Sequence, residues 1–177
     1  MRTLVKRSDK VAFLGCLGTG TEVFNRMRGF TSLSGSKNPK EYSRQYVDEE
    51  FEVTDVTGFS PSYDFGFDQY TDDLVHEEMV DILDNEKTGT EARRNMVIVD
   101  FSSPVQGGGY KAVKRAWSII GDSEGDSTDA YTYSGTFRSA GNKIFGTATL
   151  NSDNSVATFV EDSDNSVATF VEDNVSL

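Results

Sequence analysis

The chain has 177 residues, 36% of them apolar, with 12 Phe and 7 Tyr. That suits one domain with a core of its own and is too aromatic for general disorder. A net charge of −12 repels nucleic-acid phosphates and argues against sequence-specific DNA or RNA binding, and a lone cysteine, Cys16, excludes an internal disulfide framework.

The first residues carry Arg2, Lys6, Arg7 and Lys10 and lack the apolar run of a signal peptide. No stretch nears the roughly 18 apolar residues that a membrane span needs. A soluble protein made in a cytoplasm, with no membrane partner, is expected. Val11 to Leu14 predicts a short strand, followed by the Gly/Thr turn "GCLGTGT". Residues 22–33, "EVFNRMRGFTSL", alternate loosely and read as one strand. "SGSKNPKEYSRQYVDEE", 34–50, is poor in apolar residues and rich in turn formers. It reads as a long exposed loop or a two-stranded arm, and long segments of this kind usually carry a contact function.

"FEVTDVTGF", 51–59, reads as a strand, and the next strand spans about 60–68 with Pro61 at its start, where a missing N–H matters least. In "SYDFGFD", Tyr63, Phe65 and Phe67 fall on one face, and Ser62, Asp64, Gly66 and Asp68 on the other. A helix follows from near Asp72, capped by Thr71 or Asp72, with Leu74, Val75, Met79, Ile82 and Leu83 as its apolar stripe and Gly89 as the stop signal. "NMVIVDF", 95–101, is a continuous apolar run, as expected of a strand covered on both faces. "YKAVKRAWSIIG", 110–121, fits helix or strand by pattern, and its Val, Trp and Ile favour strand. "AYTYSGTF" and "KIFGTATL" read as strands around a hairpin turn, "RSAGN".

The chain ends on a tandem repeat. "SDNSVATFVED" occupies 152–162 and again 163–173. In one unbroken strand an odd period would turn the second copy's Val and Phe to the opposite face. The segment reads as a tandem duplication, or as an added C-terminal strand or contact arm. The expected organisation is therefore a domain over 1–150 and a repeat-bearing segment over 151–177.

Catalytic equipment is sparse. His76 is the only histidine and reads as a surface or cap residue beyond the apolar stripe, which leaves a Ser-His-Asp or Cys-His arrangement without its base. Zinc-type Cys/His clusters are missing. "DSEGDSTD", 122–129, lacks the Gly and Glu spacing of a calcium loop. "GTGT" and "QGGGYK" match no phosphate-binding pattern. Lys111, Lys114 and Arg115 beside Tyr110 and Trp117 are expected to pair with acidic neighbours, and Trp117 to lie in the core. No catalytic, cofactor-binding or metal-binding residue, and no cofactor, is assigned.

"FNRMRGFTSLSGSKNPKEYSRQYVDE", "TGFSPSYDFGFD" and "QYTDDLVHEEMVDIL", in that order, together with the closing "YTYSGTF" and "IFGTATL", resemble the major tail tube protein family of tailed bacteriophages, over roughly residues 11–150. The resemblance implies a mainly β (α+β) subunit: a β-sandwich or barrel-like body with one flanking α-helix. It implies six copies in a ring whose sheets join into a continuous inner barrel, and rings stacked into a tube, as in contractile tails and secretion tubes. Its partners would be itself and other tail proteins such as tape measure, terminator and baseplate. DNA would pass through without specific binding, and the protein would reside in the virion tail after assembly in the bacterial host cytoplasm. A negative lumen suits that passage, so Asp64 and Asp68 are expected to face the bore. The polar arm, with Ser34, Lys37, Asn38, Lys40, Tyr42, Arg44 and Tyr46, is expected to make the inter-subunit contact. The competing reading is a monomeric β-sandwich binding module for a carbohydrate or cell-surface partner; an acid-dependent hydrolase ranks below both.

Overall fold

The computed structural model describes residues 2, 4–17 and 22–162. A single 3-10 turn (Arg7–Asp9) leads into eleven strands and one helix: β1 (Lys10–Leu17), β2 (Glu22–Arg26), β3 (Phe30–Ser36), β4 (Pro39–Arg44), β5 (Val53–Phe59), β6 (Ser62–Asp68), α1 (Leu74–Asp84), β7 (Arg93–Pro104), β8 (Tyr110–Glu124), β9 (Thr132–Ser139), β10 (Ile144–Leu150) and β11 (Val156–Glu161). The fold is mainly β with one helix, as expected.

Its centre is a closed barrel. The strands run β10-β11-β2-β1-β7-β8, all antiparallel, and β8 pairs back to β10. The 15-residue β8 makes this possible by dividing one edge between two partners. Residues 110–114 pair with β10 and close the barrel; residues 117–124 pair with β9. From that second half an open sheet departs in the order β8-β9-β6-β3.

Two-residue periodicity then builds two cores on opposite faces of shared strands. Val11, Phe13, Val97, Val99 and Ala112 point into the barrel with Phe24, Ala148 and Ala157. Six strands enclose a narrow bore, so alanines from three strands are needed to leave room for Phe13 and Phe24. The alternate residues Ala12, Leu14, Cys16, Met96, Trp117 and Ile119 point outward and meet α1 and the open sheet. The apolar run in β7 is thus covered on both faces, as its composition predicts.

α1 lies on this outer core with Val75, His76, Met79 and Ile82 buried. Its N-cap is Asp73, whose carboxylate accepts from the Val75 N–H at 2.9 Å and the His76 N–H at 3.2 Å; neither Thr71 nor Asp72 does this. Asp72 instead takes a left-handed φ of 61° that turns the chain into the helix. Leu74 leaves the expected stripe and is exposed, and His76 replaces it in the core. At the other end Glu86, at φ 46°, is the left-handed residue that stops the helix: its N–H reaches the Leu83 carbonyl and that of Lys87 reaches Ile82, a Schellman arrangement. Gly89, also at positive φ, belongs to the following turn.

Long-range pairing overrules local pattern at three places. Residues 22–33 are two strands, broken at Gly29 (φ 68°), and they part company: β2 enters the barrel and β3 becomes the far edge of the open sheet. β5 pairs with β4 alone, so the two-stranded arm is not made within 34–50 as expected: that segment supplies one arm strand, and residues 53–59 supply the other. "RSAGN" is not a hairpin turn, because β9 and β10 follow one another along the same edge of β8 and do not pair with each other.

The first repeat copy supplies β11, which pairs with β10 and β2. Leu150 ends β10 and pairs with Ala157 of β11. The second copy, 163–173, lies outside the described residues.

Candidate functional site

The open sheet has unequal faces. Phe65 and Phe67 of β6, Tyr133 and Phe137 of β9, and Trp117 and Ile119 of β8 are buried under α1. Tyr63 packs edge-on against Trp117, with ring centroids 5.2 Å apart. Gly135 sits opposite Phe65, where a side chain would strike the Phe65 ring and the Ile120 carbonyl.

The other face has no layer over it among the described residues. It presents the alternate positions of the same strands: Ser34, Asp64, Asp68, Thr132, Ser134, Thr136 and Arg138. The hydroxyl of Thr136 donates to Asp64 Oδ1 at 3.0 Å, and Ser123 and Ser134 share a 2.8 Å hydrogen bond. Asp64 is exposed and Asp68 half-buried. This is a carpet of short hydroxyls with two carboxylates and one guanidinium.

Two strand edges flank this face. β3 ends the sheet order, so its outer N–H and C=O groups have no strand partner among the described residues. On the opposite side, the pairing of β8 with β7 stops at Ser118–Arg93, and residues 120–124 continue without β7. Free edges of this kind are templates for pairing with another chain.

The arm projects from the β3–β6 end. Asn38, at φ 44°, roots it by donating from Nδ2 to the Ser60 carbonyl and the Ser62 hydroxyl, both at 3.1 Å. Lys40, Tyr42 and Arg44 share one side of β4, with Arg44 donating to the Tyr42 hydroxyl at 3.0 Å. Tyr46 lies in the tip turn, closed by Gln45, whose amide donates to the carbonyls of Glu49 and Glu50. Tyr42, Tyr46, Val47, Phe51, Val53, Val56 and Phe59 are all exposed, and exposed apolar surface of this extent is a feature of interaction sites. Ser34 stands apart from this group: it lies in β3 opposite Asp64.

The comparisons fit this geometry. No family model matches the chain, and no curated protein sequence matches it. Among solved structures it is similar to the SPP1 tail tube determined by solid-state NMR and cryo-EM, with a TM-score of 0.62 and 12% identity over 81% of this chain and 80% of that one. The tail of an empty gene transfer agent particle, solved with C6 symmetry, gives 0.58 and 15% over 79% and 97%. A native gene transfer agent virion gives 0.55 and 14% over 79% and 97%.

The chain has the tail-tube fold.

Within this tail-tube fold the polar residues singled out in the sequence fall into two groups. Asp64 and Asp68 are brought together on the bare face, and Lys37 to Tyr46 on the arm and its root. His76 is not at a surface: it is 1% exposed. Its Nδ1 accepts from the Tyr70 N–H at 3.0 Å, which leaves Nε2 to donate to the Arg28 carbonyl at 2.8 Å. The imidazole thus ties the helix to the β2–β3 link and is spent on structure. Among the described residues Lys114 and Arg115 form no ion pair with an acid. Lys114 lies over the Phe159 ring and Arg115 over Trp117, 4.9 and 5.6 Å from the ring centroids, which is cation–π contact. Trp117 is a core residue, as expected. Among the described residues no three His, Cys, Asp or Glu side chains gather as a metal site. The hydroxyls of Thr132, Ser134 and Thr136 escaped notice in sequence, although "TYSGTFR" alternates as cleanly as "SYDFGFD".

Proposed function

We propose that the protein is a structural, non-catalytic subunit of a phage-type tail tube, built from rings of six copies that stack into a conduit for DNA. The observation that carries the proposal is the open sheet: one face sealed by α1, the other bare and polar, between two free edges. Joining β3 of one copy to the free end of β8 in the next pairs unlike edges, and such heterologous contacts close into rings when the rotation allows. The C6 symmetry of the gene transfer agent tail supports six. The bare faces then line the bore. Hydroxyls keep that lining wet without binding phosphate strongly, and Asp64 and Asp68 repel it.

The arm makes the contact between copies, and the protein belongs to the virion tail together with tape measure, terminator and baseplate proteins. Substituting both carboxylates, Asp64→Lys and Asp68→Lys, leaves tubes intact and slows DNA ejection; unchanged ejection would place those residues elsewhere. Replacing residues 38–60 by a tight turn leaves a folded monomer that does not polymerise, and normal tubes from that variant would remove the arm from the mechanism.

A further inference from the structure

Three cations gather at the root of the arm. Lys37 lies in the β3–β4 link, Lys143 in the β9–β10 link and Arg115 in β8. Backbone bonds knit these segments together: Ser139 N–H donates to the Pro61 carbonyl at 3.1 Å, and Ala140 N–H to the Ala116 carbonyl at 2.9 Å. Local desolvation, and then the charges of Lys37 and Arg115, lower the Lys143 ammonium pKa. The charge of Arg115 also reaches Tyr63, as does that of Arg7, against the upward push of burial on that phenol.

Among the described residues no ion pair engages this cluster. The ion pairs found among the described residues join Lys10 to Asp100, Lys87 to Asp81 and Arg94 to Glu78, and none includes Lys37, Arg115 or Lys143. Arg115 Nε is moreover buried without a hydrogen-bond partner. Two exposed lysines beside the Arg115 guanidinium, in a chain of charge −12, form a cationic patch suited to an anionic partner.

The matching anion stands at the other end of the arm. The tip reads Asp48-Glu49-Glu50-Phe51-Glu52, all exposed and none in an ion pair among the described residues. Phe51 is 76% exposed beside the half-exposed Tyr46, so the tip offers apolar anchors as well as charge. It cannot reach the cluster of its own chain. The six residues of β4 span about 20 Å at ~3.3 Å per residue, and the β4–β5 ladder holds them extended.

We propose that the Lys37–Arg115–Lys143 cluster is the receptor for the acidic arm tip, Asp48 to Glu52, of a second copy of this chain. The inference rests on the arm being a contact between copies, and it names the surface that the arm meets. Root and tip are different surfaces of one molecule, so the contact passes from copy to copy in one direction and is never used up within a pair.

Charge reversal tests it. The root variant carries Lys37→Glu and Lys143→Glu; the tip variant carries Glu49→Lys and Glu50→Lys. These positions are exposed, and circular dichroism checks that each variant folds. Each variant alone raises the concentration needed for tube formation by roughly tenfold or more, and the chain carrying all four substitutions regains assembly. In a separate chain, Glu50→Cys with Lys143→Cys yields, on mild oxidation, a ladder of disulfide-linked copies, because Cys16 is buried. Wild-type tubes with unaffected variants and no ladder would overturn the receptor assignment while leaving the tail-tube reading in place. A wild-type protein that stays monomeric at every concentration would overturn both.

Discussion

Arg94 of β7 forms an ion pair with Glu78 of α1, and both side chains are withdrawn from solvent, 5% and 16% exposed. Arg94 Nη1 adds bonds to the carbonyls of Glu91 at 2.9 Å and Arg93 at 2.6 Å. The guanidinium therefore fastens the helix and its returning loop to the barrel wall. Removing one partner strands the other charge in the core. Glu78→Ala is expected to lower unfolding free energy by about 3–5 kcal/mol, read as a shift of the urea midpoint at unchanged slope. A loss within the surface range, under about 1 kcal/mol, would show that the pair is solvated in solution.

His76 makes a second such tie. His76→Phe keeps the aromatic contacts with Phe30 and Phe67 but leaves the Tyr70 N–H and the Arg28 carbonyl without partners. The expected loss is roughly 2–4 kcal/mol, from two stranded backbone groups, with the Tyr70 amide hydrogen exchanging faster. Unchanged exchange at Tyr70 would contradict the assignment of that bond.

Cys16 gives a pH test. Burial pushes its thiol up to about 11 from an ordinary 9.0. The unfolded chain therefore ionises first, and the folded state loses stability as pH rises through the interval from about 9 to 11. Below pH 9 that contribution is complete. Cys16→Ala flattens this part of the stability–pH curve, leaving the part due to the tyrosines. At pH 8 the native thiol resists alkylation, and it becomes reactive on unfolding. Rapid labelling of the folded protein would place Cys16 at a surface.

Glu86 holds a left-handed backbone without glycine's freedom. Glu86→Gly is expected to raise stability by roughly 0.5–1 kcal/mol, since the strain relieved exceeds the entropy glycine adds to the unfolded chain. A lower melting temperature would mean that the Glu86 side chain contributes more than its backbone costs.

Much of the fold is legible in the sequence where one local rule dominates. The alternation of Tyr63, Phe65 and Phe67, the run of Met96 to Val99, and the stripe of Val75, Met79 and Ile82 each predict the element observed. What escapes is what distant residues decide. "RSAGN" has the composition of a hairpin turn, yet β8 is long enough to take β9 and β10 in succession along one edge. Arg94 sits in "EARRN" and looks like a surface residue; only the return of the chain past α1 makes it an anchor. The bare face was legible at Asp64 and Asp68 because acids draw attention, and missed at Thr132, Ser134 and Thr136 because hydroxyls do not. The cation cluster joins three distant segments and leaves no local trace.

The central claim is that the bare face of the open sheet lines a channel made by many copies. Cryo-electron microscopy of the concentrated protein tests it most directly. Hollow tubes of stacked rings are expected, with density for Asp64 and Asp68 on the inner wall and β3 paired across subunits. Dispersed monomers, or an assembly that turns those carboxylates outward, would contradict it.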